Sequence, residues 1–166
     1  MVILGVDPGL HAMGYGIIEA LPSQLRVIAA GDIRPPKTSP LAERLGFLRD
    51  ALSQLLSRYP AETMVIEKLF THHQHVTTAA LMAHARGVAC LTAQEHRLLL
   101  VEYPPTQVKK SLTGNGSASK EQVARMVGHW LRAADPAWSV DATDALALAI
   151  VHAHMEFQRR RLPAGV

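Results

Sequence analysis

Val2-Ile3-Leu4-Gly5-Val6 is an unbroken apolar run that stops on Asp7-Pro8-Gly9. So short a run suits a strand buried in a sheet, and the Pro-Gly behind it breaks the strand into a turn. A second run, Met64-Val65-Ile66, also stops on an acid, Glu67. Two short apolar strands that each end on a carboxylate put those acids on the carboxyl edge of a sheet. That is the edge where open α/β sheets usually place their ligands.

The remaining pattern fits such a sheet. Tyr15 to Glu19 and Leu25 to Ile33 are further strand candidates, joined by turn residues at Pro22 and Ser23. Three strands in close succession predict an antiparallel meander. After the prolines 35, 36 and 40, the period changes. Leu41, Leu45, Leu48, Leu52, Leu55 and Leu56 recur at helical spacing. Thr77 to Ala93 reads as an Ala-rich helix with Gly87 and Cys90 on a small-residue face, suited to packing against the sheet or against a second subunit. Leu98 to Val101 is a fifth strand. Ser119 opens a helix with Gln122 three residues on, a capping-box spacing. Asp141 to about Phe157 is the last helix. The expectation is therefore an α/β domain with a five-stranded mixed sheet, the first three strands antiparallel, flanked by helices. It should span residues 1–157, with 158–166 as a basic tail.

Composition narrows the class. The chain has 166 residues, 48% hydrophobic, enough for one packed core. Charges and prolines interrupt every apolar stretch, so no membrane span is expected. The N-terminus lacks the pattern of a signal peptide. The single cysteine, Cys90, excludes an intramolecular disulfide framework and fits a reducing cytoplasm. A net charge of +3 and a pI of about 9.3 lean mildly toward a polyanionic partner.

Four carboxylates carry the chemistry. Asp7 and Glu67 lie at strand ends, and Asp141 and Asp144, three apart, share one helix face. If that helix crosses the strand ends, four negative charges converge, which is costly unless cations neutralise them. Oxygen-only ligands suit Mg²⁺ or Mn²⁺ rather than zinc. Two such ions about 4 Å apart would serve phosphodiester hydrolysis. Each acid also has a plainer reading. Asp7 fits a turn, Glu67 fits a pair with Lys68 or open solvent, and Asp141 or Asp144 fits a helix cap or a dipole partner.

Several motifs in order resemble the RuvC family of crossover junction endodeoxyribonucleases. They are Gly5-Val6-Asp7-Pro8-Gly9 with Gly14-Tyr15-Gly16, Val65-Ile66-Glu67 with Phe70, and Ala85-Arg86-Gly87-Val88. Gln107-Val108-Lys109, Gly116-Ser117-Ala118 with Lys120, and Asp141-Ala142-Thr143-Asp144-Ala145-Leu146-Ala147 follow. The resemblance runs from near residue 1 to about His154. It implies a ribonuclease H-like fold, a homodimer, and paired nicks in strands of like polarity across a four-way (Holliday) junction. It implies that Asp7, Glu67, Asp141 and Asp144 are the metal-binding catalytic acids, and that Lys109 and Lys120 hold DNA phosphates. An aromatic at Phe70 would stack or wedge at the junction centre. The partners implied are a junction-binding protein and a ring-shaped branch-migration ATPase, the RuvA–RuvB complex.

Other readings stay open. Lys109 and Lys120 also fit ordinary exposed side chains, and Phe70 fits a core position. His72, His73 and His75 lack the further ligands of a zinc centre. The loop from Thr113 to Ser117 fits either a phosphate cradle or a plain connector. The rival functions are a ribonuclease H-like nuclease that processes ribosomal RNA precursors, a sugar-kinase- or actin-like phosphate binder, and a catalytically silent junction-binding module.

Overall fold

The computed structural model describes residues 1–68, 76–133 and 137–161. Strands β1 (Val2–Asp7), β2 (Met13–Leu21) and β3 (Gln24–Ile33) form the antiparallel meander. Helix α1 (Leu41–Arg58) carries the chain back to β4 (Thr63–Glu67), which lies parallel to β1. Helix α2 (Val76–Glu95) does the same for β5 (Leu99–Tyr103), parallel to β4. The five-stranded sheet has the order β3-β2-β1-β4-β5. Helices α3 (Pro105–Thr113), α4 (Lys120–Trp130) and α5 (Val140–Arg161) follow.

Period-two alternation sorts the strand side chains into two cores. Leu4, Val6, Met13, Ile17, Met64 and Ile66 pack with Leu48, Leu52 and Leu56 of α1 and with Ala85, Ala89 and Ala93 of α2. Ile3, Ile18, Ala20 and Val65 face the other way, against α3, α4 and α5. The molecule is thus a helix–sheet–helix sandwich. α5 is its central helix, and every residue from Ala145 to Ala153 is buried. A helix apolar on so many sides belongs inside.

The expected mixed sheet and its meander are present, and the helices differ in detail. α3 has no counterpart in the sequence reading. Pro105 stands in its first turn, and its end is Gly114 in a left-handed conformation, φ 78°. Both are ordinary helix punctuation. α2 packs through Ala85, Ala89 and Ala93, whereas Gly87 is exposed with nothing near it. α5 continues past Phe157 to Arg161, into the expected tail. Arg159 pairs with Glu156 one turn back at 3.7 Å, and cations suit a helix C-terminus.

Candidate active site

The alternation that builds the cores also aims the acids. Ile3 and Val65 point toward α5, so Gly5 and Asp7 on β1, and Glu67 on β4, follow them to the same face. β1 and β4 run parallel in register, Val6 opposite Ile66, so both strands deliver their acids at one edge. The turn behind Asp7 is pinned by Arg44 of α1, whose guanidinium donates to the Leu10 carbonyl at 2.6 Å.

Three glycines bring α5 onto that edge. Gly5 and Gly16 are direct cross-strand partners, and Gly14 faces Asp7. A Cβ on Gly5 would lie 1.9 Å from the Ala145 carbonyl oxygen, and one on Gly14 would lie 2.1 Å from the Asp141 carbonyl oxygen. On Gly16 it would strike the Leu146 side chain at 2.6 Å. The backbone of α5 therefore rests directly on the sheet, which only glycine permits. This approach carries Asp141 and Asp144 to the ends of β1 and β4.

Neither acid is spent as the helix cap. Ser139 does that work, its Oγ accepting from the Ala142 N–H at 3.0 Å. The capping reading of Asp141 and Asp144 is thereby replaced, and sequence reasoning missed Ser139 because acids so close to a helix start are themselves good caps.

Asp7, Glu67 and Asp144 line a cleft of about 370 Å³ together with Lys109 of α3 and Lys120 of α4. Asp141 lies one turn earlier on α5 and faces Arg34, with its Oδ2 3.9 Å from Nη2. Asp7 pays for its position: burial first, then the charges of Asp144, Glu67 and Asp141, push its carboxyl up to about 7. Burial and Asp144 also raise Glu67, against the opposing pull of Lys120 and Lys109. Lys120 Nζ donates to Asp144 Oδ2 at 3.0 Å, and this bond with the acids around it raises the lysine in turn. Among the described residues no His, Cys, Asp or Glu trio forms a ready-made metal cage. Lys120, bound to Asp144, stands where cationic charge is needed. An all-oxygen acid cluster that keeps a proton near neutrality and borrows a lysine fits a hard divalent cation.

The other predicted residues fall elsewhere. Phe70 and the Thr71–His75 stretch lie outside the described residues. The Thr113–Ser117 loop closes on itself. Thr113 Oγ1 accepts from the Asn115 N–H at 3.1 Å, and Asn115 Oδ1 from the Ser117 N–H at 2.9 Å. Those amides are satisfied within the loop, which favours the connector. Ser119 and Gln122 form the expected capping box and so fix Lys120 at the start of α4. His152 and His154, two apart on α5, diverge. His152 contacts the Tyr103 hydroxyl at 2.9 Å, and His154 packs edge-on to Trp130.

Comparison with known proteins decides what this arrangement belongs to. The family model described as crossover junction endodeoxyribonuclease RuvC matches residues 3–152. The chain belongs to the RuvC family. A RuvC from Alkaliphilus oremlandii is 42% identical over 154 residues, covering 93% of each chain. One from Rhodopseudomonas palustris is 41% identical over 162 residues, covering 98% of this chain and 92% of that one. The solved Thermus thermophilus RuvC superposes with a TM-score of 0.85 at 29% identity, covering 96% of both chains. The same protein in complex with a Holliday junction substrate gives 0.83 at 27% identity, again over 96% of both. This RuvC-family chain is accordingly a crossover junction endodeoxyribonuclease with the family's fold.

Proposed function

We propose that this chain resolves four-way DNA junctions by hydrolysing one phosphodiester in each of two strands of like polarity, as a homodimer. Asp7, Glu67, Asp141 and Asp144 would hold the divalent metal that a nuclease of this kind implies, as Mg²⁺ or Mn²⁺ and with two ions per site. The observation that carries the reading is the convergence of Asp7, Glu67 and Asp144 with Lys109 and Lys120 on one cleft, at the edge of a fold that matches a junction-bound relative.

The ions, when bound, would activate water and stabilise the leaving oxygen. The protein's own groups do the rest. Asp7, the most strongly perturbed carboxyl, would hold an ion in its deprotonated form. Glu67 and Asp144 flank it from β4 and α5. Asp141, one turn earlier on α5, would hold an ion from the side that faces Arg34. Lys120 leaves Asp144 and, with Lys109, holds the phosphate and offsets charge developing on it. Phe70 is proposed to wedge at the junction centre, and the two sites of a dimer present paired cuts to a bent substrate. The RuvA–RuvB branch-migration complex is the proposed partner, and the cytoplasm, with its reduced Cys90, the proposed compartment. Among the described residues no helix is long and apolar enough to cross a membrane.

The test is cleavage of a synthetic mobile junction beside plain duplex, with Mg²⁺, with Mn²⁺ and with EDTA. Symmetric, metal-dependent nicks in the junction alone support the reading. Binding without nicks in either metal would leave a silent junction-binding module. Equal cutting of both substrates would remove junction specificity.

A further inference from the structure

We propose that Asp32, on the far side of the acidic edge from Lys120, is a positioning residue for Asp141. The inference rests on the reading of Asp141 as one of the metal-holding acids. Asp32 is next to last in β3 and pairs across to Gly14, the glycine on which the Asp141 backbone lies. Its side chain is only 13% exposed, and its two oxygens do separate work.

Oδ1 accepts from Ser139 Oγ at 2.5 Å. A serine hydroxyl has one proton to give. By giving it to Asp32, Ser139 turns a lone pair to the Ala142 N–H and so caps α5. One carboxylate thus fixes the start of the helix that carries Asp141, across 107 residues of sequence.

Oδ2 accepts from Arg34 Nη2 at 2.7 Å, while the same nitrogen stays 3.9 Å from Asp141 Oδ2. Arg34 is 61% exposed, so its guanidinium has room to move once Asp32 no longer holds it. Asp32 therefore holds a cation beside Asp141 without letting it close. Without the Asp32 charge, Arg34 would settle on Asp141 and compete with any ion that the acid holds. Lys120, which does sit on Asp144 at 3.0 Å, shows what such closure looks like on the other side.

Asp32→Asn separates the two roles, since an amide oxygen still accepts from Ser139 but the charge that restrains Arg34 is gone. Mn²⁺ binding to DNA-free protein, read by calorimetry, should weaken roughly tenfold, as for other outer partners of metal ligands. The amide exchange of Ala142 should stay as in the parent. Adding Arg34→Ala to Asp32→Asn should restore Mn²⁺ affinity, a rescue that a merely structural role for Asp32 does not give. Arg34→Ala alone, at an exposed site that folding tolerates, should bind Mn²⁺ at least as tightly as the parent. The proposal is overturned if Asp32→Asn binds Mn²⁺ like the parent, if the double variant is not rescued, or if Arg34→Ala alone weakens binding. Asp7→Asn is the control for the underlying reading. A parent that binds no more Mn²⁺ than Asp7→Asn sinks the metal site itself, and Asp32's role toward it with it.

Discussion

Two clefts among the described residues differ in kind, and the smaller of the pair gathers the acids. The larger, about 1060 Å³, opens beside the β2–β3 turn between α4 and α5, lined by Trp130, Phe157, Arg125 and Arg132 among others. Among the described residues no carboxylate lines it. The smaller, about 370 Å³, sits at the other end of β2, where β1 and β4 deliver their acids. Volume therefore does not identify the site. Among the described residues, only the smaller cleft joins opposed charges from β1, β4, α3, α4 and α5, and only there is a carboxyl driven up to about 7. Strongly perturbed carboxyls cluster at functional sites, which supports the proposed reading of this cleft.

The sharpest way to break this contrast is to disable each cleft in turn. Asp7→Asn should lower junction cleavage by roughly a thousandfold, equivalent to several kcal/mol of transition-state stabilisation, while gel-shift binding of the junction persists. Trp130→Ala in the larger cleft should leave the rate within about twofold. Matching losses in both variants would end the distinction. Lys120→Met comes next. Its cleavage rate should fall roughly a hundredfold, as when one charge-stabilising donor is removed. Its Mn²⁺ affinity measured without DNA should rise, because Asp144 is released.

Glycine exchanges sharpen the comparison on the packing side. Gly5→Ala should cost about 1–3 kcal/mol in denaturant unfolding, since its Cβ has no room beneath α5. Gly87→Ala, in α2 with nothing within 4 Å, should gain about 0.5–1 kcal/mol. A pH slope separates the acidic cleft from the rest of the fold. Asp7 has a carboxyl raised from 3.8 to about 7, so the folded state holds a proton that the unfolded chain releases. In EDTA the group's contribution to stability should fall as pH rises from about 4 to about 7 and then level off. Thermal melts should show this slope in the parent and lose it in Asp7→Asn. With metal present the order reverses, and affinity should rise with pH up to about 7.

Much of this was legible in the residues because strands and helices announce themselves by period. Val2–Val6 and Met64–Ile66 are short apolar runs with an acid at the stop, so their edge position follows from the pleat. Asp141 and Asp144 at i and i+3 share a helix face for the same kind of reason. What stayed hidden depends on contacts between distant segments. Ser139 is an ordinary serine until Asp32, 107 residues away, accepts its hydrogen bond. Arg34 reads as one more charge before a proline. Gly5, Gly14 and Gly16 mark close approach only once α5 lies across them. The short α3 was obscured by Pro104-Pro105, which reads as a break although Pro105 stands in the helix's first turn.

Anomalous scattering from crystals grown with Mn²⁺ would locate the ions themselves. Peaks are expected among Asp7, Glu67 and Asp144, with Asp141 at their side and Lys120 withdrawn from Asp144. Saturating Mn²⁺ that leaves no peak there, with Lys120 still bonded to Asp144, would contradict the proposed metal site.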